Sequence, residues 1–181
     1  MLICLGGFLG SGRRILARKL AEKHQFHLYN IGSKKIHRHV FKKNGRVKEV
    51  VLQPNTEKLR LFLYERIIED FPRLSKMHPD TIVNDEFHRE TPREYFLAEA
   101  RKYFGTVVFI WIDSDEIHVR GRLRDMVEIG MLPDFGRALK GWRRATRTFD
   151  PPKPDTRVFR CANADDVEAE ALWALIQAPE N

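Results

Sequence analysis

Residues 1–14 read MLICLGGFLGSGRR. Leu2 to Leu5 is a short continuous apolar run, the pattern of a parallel strand buried on both faces. Gly7 to Gly12 has the spacing of the phosphate-cradling pattern GxxxxGK(S/T), and a helix near residues 12–24 follows, marked by Ile15, Leu16, Leu20 and His24. Glycines in such a loop let successive backbone N–H groups turn toward a phosphate, and the helix N-terminus adds a favourable dipole. Gly7, Gly10, Ser11, Gly12, Arg13 and Arg14 are therefore the candidate anion-binding residues. The plain alternative is a glycine-rich strand-to-helix turn that binds nothing.

Two positions depart from the pattern. Arg13 stands where lysine is expected, and Arg14 where serine or threonine would hold Mg²⁺. An arginine neutralises phosphate charge, but its planar fork is not a point-like ammonium. Arg14 has no atom that can ligate a metal. Ser11 is nearby but occupies a different position of the loop.

Working outward, Phe26 to Tyr29 reads as a second short strand and residues 34–43 (KKIHRHVFKK) as a basic helix closed by Asn44-Gly45. Pro54-Asn55-Thr56 opens a long helix, with Leu59, Phe62, Leu63, Arg66 and Ile67 at helical spacing until Pro72 interrupts it. Thr81 to Asn84 is the third strand. Thr91-Pro92 starts a helix that ends at Gly105, and TVVFIWI over 106–112 is the clearest strand of the chain. Helices over 115–129 and 134–147, the latter basic, precede a strand over 157–161 and an amphipathic helix over 165–177. Strands alternating with helices predict an α/β fold: a three-layer, doubly wound, mostly parallel five-stranded sheet. The loop DPPKPD (150–155) is too short to divide the chain, so residues 1–181 are expected to form one domain.

Composition narrows the class. With 43% hydrophobic and 10% aromatic residues among 181, the chain is neither disordered nor of low complexity. A net charge of +7 implies an anionic partner, which charge alone does not identify as nucleotide, phosphorylated metabolite or nucleic acid. Cys4 and Cys161 lie in apolar or strand-like runs without metal-ligand spacing and read as reduced core residues. No run approaches the ~18 apolar residues of a membrane span. A cytoplasmic protein without a membrane partner is the expectation.

The segments GGFLGSGRR, IVNDEFHRETPREYF, FIWIDSDEIHVRGRLRDM and TFDPPKPDTRVFRC together resemble the P-loop kinase superfamily. The likeness is to small nucleoside, nucleotide and metabolite kinases, especially the compact AAA-type kinases that include zeta toxins and polynucleotide 5′-kinases. It implies a P-loop NTPase fold of the nucleotide-kinase type, with ATP bound on Gly7 to Arg14. Asp85 matches the strand-end aspartate that orients Mg²⁺ or its waters; as a residue it also reads as a turn or cap. Arg89 and Arg93 sit where basic residues follow, and Arg89 is the candidate acceptor-binding arginine. Arg120, Arg122 and Arg124 resemble lid arginines that clamp transferring phosphates, with Arg122 the best match; any one of them also reads as part of a solvated face. Arg137, Lys140, Arg143, Arg144 and Arg147 add a second basic helix to a lid near 114–150, or else a solvated face or a nucleic-acid stripe. Phe149-Asp150 resembles the start of the tyrosine-glutamate-proline loop of sulfate-nucleotide kinases. Gly32 and Arg38 fit an acceptor segment, although Lys34 and Lys35 stand where a carboxylate is expected, leaving His37 or His39 as conceivable bases.

The reading that follows is a kinase-like protein that transfers the γ-phosphate of ATP to a nucleotide, nucleoside or sugar, with Arg13, Asp85 and Arg122 carrying the chemistry. Its rivals are a pseudokinase that binds nucleotide or another anion as a regulator or scaffold, and, ranked behind, a nucleic-acid-binding module built on the basic helices.

Overall fold

The computed structural model describes residues 1–31, 57–154 and 156–178. Its strands are β1 (Leu2–Gly6), β2 (His27–Asn30), β3 (Thr81–Asn84), β4 (Val107–Asp113) and β5 (Arg157–Arg160). They form a five-stranded sheet of order β2-β3-β1-β4-β5, with every neighbouring pair parallel. β1 is central and buried at all five positions, which is why its sequence is apolar without alternation.

Helices cover both faces: α1 (Arg13–His24), α2 (Glu57–Ile68), α3 (Phe71–Met77), α4 (Glu90–Ala100), α5 (Glu116–Glu128), α6 (Phe135–Arg147) and α7 (Asp166–Gln177). Ile3 and Leu5 point to one face, into a core with Leu16 and Leu20 of α1 and Leu172 and Ile176 of α7. Leu2 and Cys4 point to the other, against Tyr64 and Ile67 of α2, Phe71 of α3 and Phe96 of α4. Each fully buried leucine or isoleucine contributes ~1.5–3 kcal/mol, so the sheet centre is anchored from both sides. The glycine loop leaves the C-terminal end of this strand, where ligands bind in open parallel sheets.

Several boundaries shift. The second strand starts one residue later than expected, at His27. The long helix expected from Pro54 divides into α2 and α3, with Pro72 in the first turn of α3; there a proline's missing N–H costs nothing, so it starts a helix instead of breaking one. The helix after Thr91 ends at Ala100, and Tyr103 and Phe104 turn back on its carbonyls before Gly105. The basic 34–43 segment, its Asn44-Gly45 turn, Gly32 and Arg38 lie outside the described residues. Both cysteines are free and buried; burial above all pushes the Cys161 thiol up to about 11 and raises that of Cys4 as well. No described helix is long and apolar enough to cross a membrane.

Candidate functional site

After β1 the chain turns sharply. Gly7, at φ +147°, donates its N–H to the Glu86 carbonyl at 3.2 Å, and a Cβ there would lie 2.7 Å from both the Ile112 carbonyl and Ser11 Oγ. Ser11 N–H closes on the Phe8 carbonyl at 3.1 Å. Gly12 caps α1 at φ +88°, with Cys161 Sγ only 2.5 Å from where a Cβ would be. Only glycine meets both the positive φ and this close approach. α1 has no side-chain cap and no acidic residue in its first turn. The positive end of its dipole therefore opens, uncompensated, on the loop.

Arg13 and Arg14 take different places. Arg13 folds back across Gly7, its Cδ 3.3 Å from the Cβ position there. Its Nη1 is fully enclosed and has no hydrogen-bond partner among the described residues. Burial lowers the guanidinium's pKa, opposed by the nearby Asp85 and Glu86, and it remains a cation. Arg14 is exposed.

Asp85, at the end of β3, is 2% exposed and already engaged. Arg60 Nη1 of α2 donates to both of its oxygens, at 2.7 and 2.9 Å, and Tyr64 Oη donates to Oδ2 at 2.6 Å. Arg60 Nη2 also reaches Glu86 Oε2 at 2.9 Å. Burial lowers the Arg60 pKa, but Asp85 and Glu86 outweigh it and hold the group well above its usual value. Burial and Asp85 both raise the Tyr64 phenol, so it stays a donor. His88 is enclosed beside this cluster, with Nδ1 3.7 Å from Glu86 Oε2; burial depresses its pKa and keeps the imidazole neutral at pH 7.

Mg²⁺ asks for near-octahedral oxygen ligands. Asp85 offers oxygens already bound by a guanidinium and a phenol, and Arg14 offers none. Among the described residues no group of three or more His, Cys, Asp or Glu is placed to hold a metal. The described residues at this site do not fit the ion.

Arg89 and Arg93 latch the turn after β3 to the 149–151 segment. Arg89 Nη1 lies 3.5 Å from Asp150 Oδ1, and Glu90 N–H donates to Asp150 Oδ2 at 3.2 Å. Arg93 is wholly buried and donates to the carbonyls of Phe87, Asp150 and Pro151 at 3.0–3.2 Å. Phe149 stacks on Trp111 at 4.3 Å, and Phe8 of the glycine loop packs edge-on against both at 5.1 Å. Arg89 Nε is buried without a partner among the described residues.

Arg122 lies against the glycine loop on the opposite side. Its Nη1 donates to the Gly10 carbonyl at 2.5 Å and to Ser114 Oγ at 3.1 Å, and its Nη2 to the Ala162 carbonyl. The guanidinium thus clasps the glycine loop to the turn after β5. That turn aims the N–H groups of Ala162, Asn163 and Ala164 at the Glu168 carboxylate. Of the other basic residues on these helices, Arg120 and Arg143 pair with Glu116 at 3.5 and 2.7 Å, and Arg124 sits over the Phe135 ring. α5 and α6 share a small core of Val119, Leu123 and Leu139. A groove of ≈ 640 Å³ along α6 is lined by Lys140, Arg143, Arg144 and Arg147, among others.

The parallel sheet of order 2-3-1-4-5, with a glycine loop leaving its central strand into a helix, decides the fold. The chain has the P-loop kinase fold. No protein-family profile matches it, and no curated protein matches it by sequence. Its structure is similar to that of a sugar kinase from Janibacter sp. HTCC2649 (TM-score 0.63, 17% identity, covering 98% of this chain and 95% of that one). A gluconokinase from Sinorhizobium meliloti 1021 is similar at TM-score 0.62 and 17% identity, over 96% and 91% of the two chains. Chaetomium thermophilum Kti12, in complex with ADP-AlF3, is similar at TM-score 0.57 and 15% identity, over 97% of each. At such identities the likeness concerns the P-loop kinase fold and leaves the ligand to this chain's own residues.

Sequence reasoning brought the loop, Arg13, Asp85 and Arg122 to one end of the sheet, where the structure also has them. It missed Arg60 and Tyr64. Their signal was a cation on the stripe Arg60, Leu63, Tyr64, Ile67, the buried positions of α2 among the described side chains; a buried arginine requires buried acceptors.

Proposed function

We propose that the chain is a nucleotide-binding member of the P-loop kinase fold, a pseudokinase that seats the polyphosphate of a purine nucleoside triphosphate on Gly7 to Arg14. Arg13 carries the binding half of this reading. Its enclosed, unpartnered Nη1 supplies a charge-assisted donor beside an uncapped helix N-terminus. Asp85 carries the other half, because the carboxylate that would organise a metal for phosphoryl transfer is consumed by Arg60 and Tyr64. Gly10, Ser11, Gly12 and Arg14 complete the cradle, and Arg122 acts by holding the loop in shape. The α5–α6 hairpin is then a basic lid over the phosphates.

Titration calorimetry of the full chain with ATP, alongside a hydrolysis assay, tests the reading. Saturable binding of ATP with no turnover is expected. Binding lost in Arg13→Gln, a variant that keeps its fold by circular dichroism, supports the loop as the site. Multiple turnover of ATP overturns the pseudokinase half, and absence of binding overturns the whole.

Phosphotransfer to a small acceptor is the second reading. The buried, unpartnered Arg89 Nε beside Asp150 favours it, since that donor suits an acceptor's anionic group. Acceptor screens with nucleotides, nucleosides and sugars would show it as loss of ATP that depends on the acceptor.

A further inference from the structure

We propose that this site takes its nucleotide as the metal-free polyphosphate, with Arg60 and the loop arginines standing where a kinase's cation would act, so that Mg²⁺ weakens binding instead of enabling it. The inference rests on the nucleotide reading above and deepens it.

Three placements carry it. Asp85 is the strand-end carboxylate beside the loop, and its two oxygens already accept from Arg60 Nη1 and Tyr64 Oη. Arg60 is itself 7% exposed and held a second time by Glu86, so releasing Asp85 to a metal would strand a buried guanidinium. Arg14 replaces the hydroxyl that would be the metal's other protein ligand, and it adds positive charge at the mouth of the loop.

The electrostatic sign then reverses. In a site with a free carboxylate, a divalent cation bridges two anionic groups, protein and phosphate. Here Arg13 and Arg14 flank the cradle, and Arg60 occupies the carboxylates of Asp85 and Glu86, which favour the charge of Arg13 nearby. A cation arriving on the triphosphate cancels part of the charge that Arg13 and Arg14 attract, and finds Asp85 already taken by Arg60 and Tyr64. Free triphosphate is the better partner for such a set of donors.

The experiment is a calorimetric titration of the full chain with ATP in EDTA and again in excess Mg²⁺, at matched ionic strength. Affinity roughly three- to tenfold tighter in EDTA than in Mg²⁺, as expected when one arginine–phosphate attraction is weakened, supports the proposal. Equal affinity in the two buffers, or tighter binding in Mg²⁺, overturns it while leaving the nucleotide reading intact. Binding in neither buffer overturns the nucleotide reading itself, and the proposal with it. Arg14→Ser, an exposed change that the fold tolerates, restores the missing hydroxyl. It should still show no gain of Mg²⁺ dependence, because Arg60 keeps Asp85. A tenfold gain in this single variant would show that the Arg60–Asp85 pair does not suffice to exclude the ion and would overturn the role given to Arg60.

Discussion

Arg60→Met removes the guanidinium that neutralises Asp85 while keeping most of the side chain's volume. Asp85 is 2% exposed and Arg60 7%, so the carboxylate left behind cannot turn to water. It loses two hydrogen bonds of 2.7 and 2.9 Å and, among the described residues, keeps the one from Tyr64, and Glu86 loses its 2.9 Å contact with Arg60. Breaking one side of a buried pair costs ~3–5 kcal/mol. For a chain of this size that corresponds to a fall in melting temperature of roughly 6–20 °C. Asp85→Asn should cost less, ~1.5–3 kcal/mol, because Arg60 still holds Glu86 at the more exposed edge of the cluster. The double variant Arg60→Met with Asp85→Leu replaces the ions by apolar groups and should recover most of the loss, since such replacement is often neutral. Urea unfolding followed by circular dichroism measures all three. A single-variant loss for Arg60→Met below ~1 kcal/mol, or a double variant as unstable as the sum of its parts, would refute the buried-pair account and with it the claim that Asp85 is committed.

Gly12→Ala places a methyl 2.5 Å from Cys161 Sγ at φ +88° and should destabilise by ~2–5 kcal/mol, from the left-handed strain and overpacking together, read as a lower urea midpoint. Arg93→Met strands three backbone carbonyls that the buried guanidinium now satisfies; a loss of ~3 kcal/mol or more is expected in the same assay. Glu168 is opposed by burial, but three backbone N–H groups outweigh this and hold its pKa below the ordinary carboxylate value. Its stabilisation is therefore complete above about pH 4.3, the unfolded value, and is lost as pH falls through the lower folded value. Comparing acid unfolding of the chain and of Glu168→Gln should show the two curves converging below that pH.

Much of this architecture was readable in advance because its causes are local. A continuous apolar run, a glycine spacing and a following helix identify the loop, and the strand-end position of Asp85 follows from TIVN and its turn. What stayed hidden depended on contacts distant in sequence. The stripe of α2 was read through Leu59, Phe62, Leu63, Arg66 and Ile67; Leu63 and Ile67 are buried as expected, but Arg60 and Tyr64 are buried beside them, and Arg66 is 40% exposed on its side chain. A charged residue next to an apolar stripe reads as solvated, and this concealed the arginine that holds Asp85. Pro72 read as a terminator because sequence alone does not show that a new helix begins there. Arg122 lies beside the loop as expected, but its donors are spent on the carbonyls of Gly10 and Ala162, a use that only the packing of the turn after β5 against Gly12 reveals. The stack of Phe8, Trp111 and Phe149 likewise joins three separate segments.

The most direct test of the central claim is a crystal structure of the full chain grown with ATP. It should show the triphosphate on the backbone N–H groups between Gly7 and Arg14, in contact with Arg13 Nη1, with Arg60 still paired to Asp85. Phosphates seated elsewhere, such as in the basic groove of α6, or an Asp85 released from Arg60 to ligate a metal, would contradict the account.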